Sequence, residues 1–291
     1  AAGVPRSSGV VGEQRRSAPF SPYLHNPALR ARGISAVYLP FQVEEFSEVT
    51  SVLDDLRVDG LSVTIPFKED ARRFASTLDD RSEGSGATNT LIVRRDPGVS
   101  RAGAVRGYNT DYDGVLQPLV RRLDSLKKIS VAVIGNGGAA RGAILALREA
   151  GASPAIYYRN PQRGEPVAEQ LGVPGKPLEE IGGFRGRVLI NATPLGRAAG
   201  DPSPAPTAAF MPRSGGKRRV AFEMIYEPAE TAFLRAAAEA GAECIRGREM
   251  LVAQGVAQFR LFTGSTPEDG EFEANYERGE EIRRALTPSP D

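Results

Sequence analysis

Six residues, Gly135-Asn136-Gly137-Gly138-Ala139-Ala140, follow the apolar run Ile129–Ile134 and precede an Ala-rich stretch that reaches Ala150. That is the strand–glycine–helix setting of a dinucleotide-phosphate turn. Gly135 makes the tight bend, Gly137 lets the backbone approach a pyrophosphate, and Ala140 is small enough for close helix–strand packing. A helix opening there presents free N–H groups and a partial positive charge to an anion. The bland alternative is an ordinary βα turn. The end of the next strand says which dinucleotide is expected. A free ribose 2′-hydroxyl wants an acid about 20 residues on, and residues 157–163 (YYRNPQR) hold none. Arg159 and Arg163 offer planar bidentate donors that suit a 2′-phosphate, or else are two solvated surface arginines.

A second group of reactive side chains lies upstream. Ser62-Val63-Thr64-Ile65-Pro66-Phe67-Lys68 puts a lysine directly after a strand end. A lysine is ordinarily solvated surface, but its company argues for more. Gly86-Ala87-Thr88-Asn89-Thr90 and Gly107-Tyr108-Asn109-Thr110-Asp111 set amide, hydroxyl and carboxylate groups at strand and turn junctions, where side chains converge on a cleft. One histidine, His25, excludes a His-cluster metal centre and is expected to cap or pack at the start of a helix. One cysteine, Cys244, excludes an internal disulfide, fits a reducing compartment and reads as a buried small hydrophobe in a strand Ala242–Ile245.

Positioning these groups takes alternating strands and helices, the pattern of a parallel sheet with crossover helices. The first half reads as strand 36–40, helix 43–56, strand 60–65, helix 68–78, then strands 90–94 and 102–107 joined through Asp96-Pro97-Gly98. The second half starts near Asp113, with helix 114–123, the near-continuous apolar strand 129–134, and strands 155–158, 188–190 and 220–222. Its later helices are 230–240, stopped by Gly241, and 250–262. A proline-rich loop spans 198–212, and a polar helix 271–285 is expected to pack on one side only. The 291 residues fit one or two domains. With 37 basic and 36 acidic side chains the net charge is +1, which gives no long-range field toward nucleic acid or an anionic membrane. The longest uncharged stretch, 17–29, is far short of the ~20 apolar residues of a membrane span. The first residue is Ala, read as a processed or excised start. Residues 1–17, with three Arg and one acid, are too weakly patterned for a transit peptide.

Taken in order, Gly60–Lys68, Gly86–Thr90, Gly107–Asp111, Gly135–Ala140, Asn191-Ala192-Thr193 and Met250–Gly255 resemble shikimate dehydrogenases over about Ser21 to Gly264. The resemblance implies an N-terminal α/β substrate domain (1–113), a Rossmann NADP-binding domain (114–249) and C-terminal helices (250–291) returning to the first domain. It implies reversible NADP-dependent reduction of 3-dehydroshikimate to shikimate on the chorismate pathway. Carried over position by position, Lys68 is the catalytic lysine and Asp111 its partner. Ser21, Thr64, Asn89, Tyr226 and Gln254 are substrate ligands. Gly135, Gly137, Gly138, Ala139, Arg159, Arg163, Thr193, Met224 and Gly247 form the NADP shell. Hydride addition to a ketone builds negative charge on oxygen, which a nearby acid must neutralise. Partial burial lowers a lysine toward working pH while Asp111 pulls the other way, so Asp111 is given orientation and proton sharing. No metal, nucleic acid or membrane partner is expected, and a cytoplasmic monomer or homodimer, alone or fused to another shikimate-pathway domain, is.

The chain departs from the family in three places. The His-Ser pair that usually precedes Ser21-Pro22 is replaced by Ala18 and Pro19, which removes one hydroxyl from the expected carboxylate grip. Arg15 or Arg16, with Ser17 just upstream, could substitute, since a guanidinium holds a carboxylate bidentately. The usual Asn-Arg-Thr is Tyr158-Arg159-Asn160, and the Asp of the usual Asp-Met-x-Tyr is Glu223. Two other readings stay open. One is a quinate or related cyclitol-acid dehydrogenase. The other is a catalytically weakened NADP-binding regulatory relative, against which retention of both Lys68 and Asp111 argues.

Overall fold

The computed structural model describes residues 6–12, 19–95, 103–212 and 216–286. The chain forms two compact units, one from residues 1–110 with 254–291 and the other from 111–253.

The first unit opens with β1 (Arg6–Gly12) and α1 (Ser21–Ala31), followed by β2 (Ala36–Gln42), α2 (Phe46–Ser51), β3 (Val58–Val63) and α3 (Lys68–Phe74). It continues through β4 (Thr77–Leu78), α4 (Asp80–Ser85), β5 (Thr90–Val93) and β6 (Val105–Tyr108). The strands lie in the order β2-β1-β3-β5-β6-β4. β1 runs parallel to both β2 and β3, whereas β5 is antiparallel to β3 and β6. One core gathers Phe46, Val49, Leu53, Val58, Leu61, Val63, Leu91, Val93 and Val105. Two expected helices stop early. Val43–Leu56 shrinks to α2, whose start is fixed by a capping box between Glu45 and Glu48, and the chain then turns with Arg57 in the left-handed region. Lys68–Leu78 ends at Phe74 because Ser76 N donates to the Val105 carbonyl at 2.7 Å and Thr77–Leu78 pair with β6. The Asp96-Pro97-Gly98 turn lies outside the described residues.

The second unit begins with α5 (Asp111–Leu123), β7 (Ser130–Ile134), α6 (Gly138–Glu149), β8 (Ser153–Tyr158) and α7 (Pro161–Leu171). It proceeds through β9 (Gly175–Pro177), β10 (Val188–Asn191), β11 (Val220–Glu223), α8 (Ala232–Glu239) and β12 (Glu243–Ile245). Its six strands are all parallel, in the order β12-β11-β10-β7-β8-β9. β7 explains why its run reads as continuously apolar. Val131 and Val133 enter a core with Leu119, Ile144 and Leu147, while Ala132 and Ile134 enter another with Phe210, Phe233 and Leu234 on the opposite face. Helix α7 escapes apolar periodicity but has clear punctuation: Asn160 caps it, Pro161 opens it and Gly172 ends it in the left-handed region.

Two helices complete the chain, α9 (Gly247–Thr263) and α10 (Glu271–Leu286). The latter belongs to the first unit and buries Phe272, Tyr276 and Gly279 along one face, as the polar pattern led us to expect. Tyr276 stacks on Phe20 at 4.6 Å and Asn275 donates to the Leu24 carbonyl at 3.2 Å, which seats α10 on α1. Among the described residues no helix is long and apolar enough to cross a membrane, and no cluster of potential metal ligands occurs.

Candidate active site

In the first unit the site is built around Asn89. Asp79 caps α4 by accepting from Ser82 N at 2.8 Å, and Gly86 closes that helix with φ 69°, which turns the chain toward β5. Asn89 stands just before β5 and is buried. Its backbone is held between Tyr108, whose carbonyl accepts from Asn89 N at 3.1 Å, and Val63, whose N–H donates to Asn89 O at 2.7 Å. The side-chain Oδ1 accepts from Thr110 N at 2.9 Å and from Thr90 Oγ1 at 2.8 Å. Nδ2 donates to Thr110 Oγ1 at 3.0 Å and to Gln254 Oε1 at 3.4 Å. One turn further along α9, Gln258 Nε2 donates to Thr90 Oγ1 at 3.0 Å. Four segments, at residues 63, 89–90, 108–110 and 254–258, thus meet around Asn89.

Lys68 is the first residue of α3 and half-buried, and its carbonyl accepts from Thr88 N at 3.0 Å. Thr64, half-buried, follows β3 directly. Ser21 opens α1. Burial pushes the Tyr38 phenol up, and the neighbouring hydroxyls of Ser62 and Ser21 partly offset this. His25 sits inside α1, fully buried and stacked on Tyr38 at 4.3 Å; desolvation lowers its pKa to about 3, so it is a neutral packing ring without a capping role. Pro19 is half-buried, whereas Arg15, Arg16, Ser17 and Ala18 lie outside the described residues.

The second unit carries the remaining candidates. Gly135 has φ 116°, and a Cβ there would come within 3.1 Å of the Ala192 carbonyl, so glycine is required. Gly137 caps α6, a helix of 12 residues, and a Cβ added to it would meet nothing within 4 Å. That leaves room for a phosphate against the helix N-terminus, at Gly138 and Ala139. The buried Ala140 packs into the core below. Arg159 and Arg163 are exposed beyond the carboxyl end of β8. Asp111, buried, opens α5 directly after Thr110, and Tyr226 is half-buried three residues past β11.

Glu223, noted in the sequence only as a departure from pattern, proves to be a hub. Fully buried at the end of β11, it accepts from Asn191 Nδ2 at 3.1 and 3.0 Å, from Ile225 N at 3.0 Å and from Thr231 Oγ1 at 2.8 Å. Burial raises its pKa to about 7 against the opposing pull of those bonds. The same Asn191 accepts from Thr193 N and Oγ1 at 3.1 and 2.7 Å, and Met224 N donates to the Asn191 carbonyl at 3.1 Å. Thr193 and Met224 are therefore set by one buried carboxylate. Gly247 packs against the same segment, so closely that a Cβ would fall 2.2 Å from the Ile225 carbonyl oxygen. Gln258, Thr90 and Asn191 were not singled out as site residues by sequence reasoning. Spacing of Gln254 and Gln258 by four along a helix was the available signal for the first.

Residues 10–91 match the family model described as the shikimate dehydrogenase substrate binding domain, and residues 247–273 match the shikimate 5′-dehydrogenase C-terminal domain. A shikimate dehydrogenase (NADP(+)) of Prosthecochloris aestuarii is 34% identical over 275 residues, covering 89% of this chain and 91% of that protein. A crystal structure of shikimate 5-dehydrogenase from Thermus thermophilus in complex with NADP(H) and shikimate superposes with a TM-score of 0.80 at 31% identity, covering 95% of this chain and all of the other. A chorismate mutase/shikimate 5-dehydrogenase fusion protein from Clostridium acetobutylicum gives 0.81 at 28% identity, covering 96% and 98% of the two chains.

Proposed function

From the premise that this chain belongs to the shikimate dehydrogenase family, we propose that it catalyses the NADP-dependent, reversible reduction of 3-dehydroshikimate to shikimate in aromatic amino acid biosynthesis. The observation that carries this reading is the Asn89 network. A buried amide fixed by Thr110, Thr90 and Gln254 is the rigid, directional hydrogen-bonding surface that a polyhydroxylated ring requires.

The residues fit NADP(H). The open backbone at Gly137 and the α6 N-terminus suit a pyrophosphate, and the two exposed arginines after β8 suit a 2′-phosphate. When bound, NADP(H) supplies or takes up the hydride. We assign Gly135, Gly137, Gly138 and Ala139 to the pyrophosphate, Arg159 and Arg163 to the 2′-phosphate, and Thr193, Met224 and Gly247 to the rest of the cofactor.

Lys68 donates the proton that neutralises the oxygen as the ketone becomes an alcohol, and accepts it in the reverse direction. Asp111 is assigned the orienting, proton-sharing role beside it. Ser21, Thr64, Asn89, Tyr226 and Gln254 position the ring and its carboxylate. We set the domain boundaries of this reading at 1–113, 114–249 and 250–291, a few residues from the compact units 1–110 with 254–291 and 111–253. The enzyme acts on a small molecule in the cytoplasm as a monomer or homodimer, alone or fused to another shikimate-pathway domain. Near-ultraviolet absorbance with NADP⁺ against shikimate and quinate side by side tests this. Shikimate-dependent NADPH formation is expected to exceed the quinate reaction, and turnover of quinate alone would refute it.

A further inference from the structure

At the amino ends of the parallel strands in the second unit lies a cavity of about 260 Å³ lined by Lys128, Ser130, Arg185, Arg187, Lys217 and Arg219, among others. Its described lining comes from residues 128–130, 185–187, 212, 216, 217 and 219, at or ahead of the starts of the adjacent strands β7, β10 and β11. Backbone bonds hold those segments in place: Arg187 N donates to the Ser130 carbonyl at 3.0 Å, and Val220 N to the Arg187 carbonyl at 2.9 Å. Five cationic residues line this space, Arg185 among them with its Nη1 donating to the Gly182 and Phe184 carbonyls at 3.1 Å each, and among the described residues lining it there is no carboxylate. A surface patch of mixed sign would be ordinary in a chain of net charge +1. Five like charges around one small concavity repel one another, and an anion entering it would offset that repulsion.

The buried part of the cluster is also prepared for a ligand. Arg219, almost fully buried, is braced by its Nε on the Met211 carbonyl at 2.8 Å, by Nη1 on the Gly186 carbonyl at 3.0 Å, and by the Phe184 ring 5.6 Å from its guanidinium carbon. Arg187 differs, because its Nη1 is buried without a hydrogen-bond partner. A buried charged donor with no acceptor is costly and calls for an explanation. Lys128, Arg185 and Lys217 are exposed around it.

We propose that this cavity is a second anion site that takes a small phosphate-bearing ligand with two or more negative charges, separate from the cofactor site. Guanidinium groups pair bidentately with phosphate oxygens, and the exposed lysines add point charges at the rim. The glycine turn after β7 stands at the carboxyl ends of the strands, where such sheets bind dinucleotides. This cavity is at the opposite ends, a five-residue strand or about 15 Å away. Its volume admits pyrophosphate or a small phosphate ester and is too small for a dinucleotide.

The test is calorimetric titration of sodium pyrophosphate, and separately orthophosphate, into the full chain with its cofactor site filled by NADP⁺. One saturable site is expected for the parent, weakening as salt is raised. Arg187→Gln and Lys217→Gln should each weaken it by about tenfold or more, the scale of one charge-assisted bond. Shikimate-dependent turnover should stay unchanged in both variants. Tighter binding of pyrophosphate would point to a phosphate-chain ligand, and equal binding of orthophosphate to inorganic phosphate. No saturable binding to the parent, or an affinity unaltered in the exposed Lys217→Gln variant, overturns the proposal.

Discussion

The substitution Glu223→Gln isolates one buried titration. In the folded chain the carboxyl has its pKa raised from 4.5 to about 7, mainly by burial and against the hydrogen bonds from Asn191, Ile225 and Thr231. A raised acid pKa means that the folded state holds the proton where the unfolded state has released it. Stability therefore falls as pH rises from about 4.5 to about 7 and is level above that window. The span corresponds to about 3 kcal/mol at roughly 1.4 kcal/mol per tenfold change in proton affinity. The introduced amide cannot titrate, so the parent should lose about that much relative to the variant between pH 4.5 and pH 7.5. The variant has its own fixed defect. One amide hydrogen must face Asn191 Nδ2, which already donates to Glu223 and to the Leu195 carbonyl at 3.1 Å, and a mismatched buried donor costs about 1–3 kcal/mol at every pH. Urea unfolding of parent and variant at half-unit pH intervals separates the two effects, since all other carboxylates cancel in the difference. Parallel curves would refute the reasoning. A parent that gains on the variant as pH rises would show that the hydrogen bonds outweigh burial.

Lys68→Ala should lower kcat by about 10²–10⁴ while leaving the shikimate KM within a few-fold, the signature of a lost proton donor; a variant that loses affinity but keeps turnover would make Lys68 a binding residue. Arg159→Ala should weaken NADP⁺ binding by about 10- to 100-fold and leave NAD⁺ binding nearly unchanged, as expected for a bond to a charged group worth ~1.5–3 kcal/mol; fluorescence titration with both cofactors reads the contrast. Gly247→Ala drives a Cβ into the backbone of Ile225 and Tyr226, with contacts at 2.2–2.5 Å, so thermal melting should show a loss of about 1–3 kcal/mol or more and the KM for NADP⁺ should rise.

Local pattern sufficed where local forces decide. The apolar run of β7, the glycine turn after it and the stop at Gly241, which has a positive φ of 71°, follow from residue type alone. It failed where distant partners decide. β1, with its Arg-Ser-Ser-Gly opening, has no strand signature, yet it is inserted between β2 and β3 and draws its hydrogen bonds from both. Thr77–Leu78 leave the helix because β6 offers a ladder. The chemistry divides in the same way. Lys68, Asn89 and the glycines stand out by type and junction. Gln258 and Glu223 gain meaning only from what lies across the sheet or one strand over.

The saturated state of Asn89 bears on affinity. With Oδ1 committed to Thr110 and Thr90, and Nδ2 to Thr110 and Gln254, the orientation of this amide is settled during folding and leaves little to order when a ligand arrives. The weakest of these bonds is the 3.4 Å contact with Gln254, the one that an incoming hydroxyl oxygen would most easily replace. If Asn89 holds the substrate as proposed, recognition would be an exchange of acceptors on a fixed donor, whose direction excludes a group that can only donate. Under the same proposal, changes at Thr90 or Thr110, which hold the side-chain amide directly, should surface as lost ligand selectivity, because they free the amide to turn over.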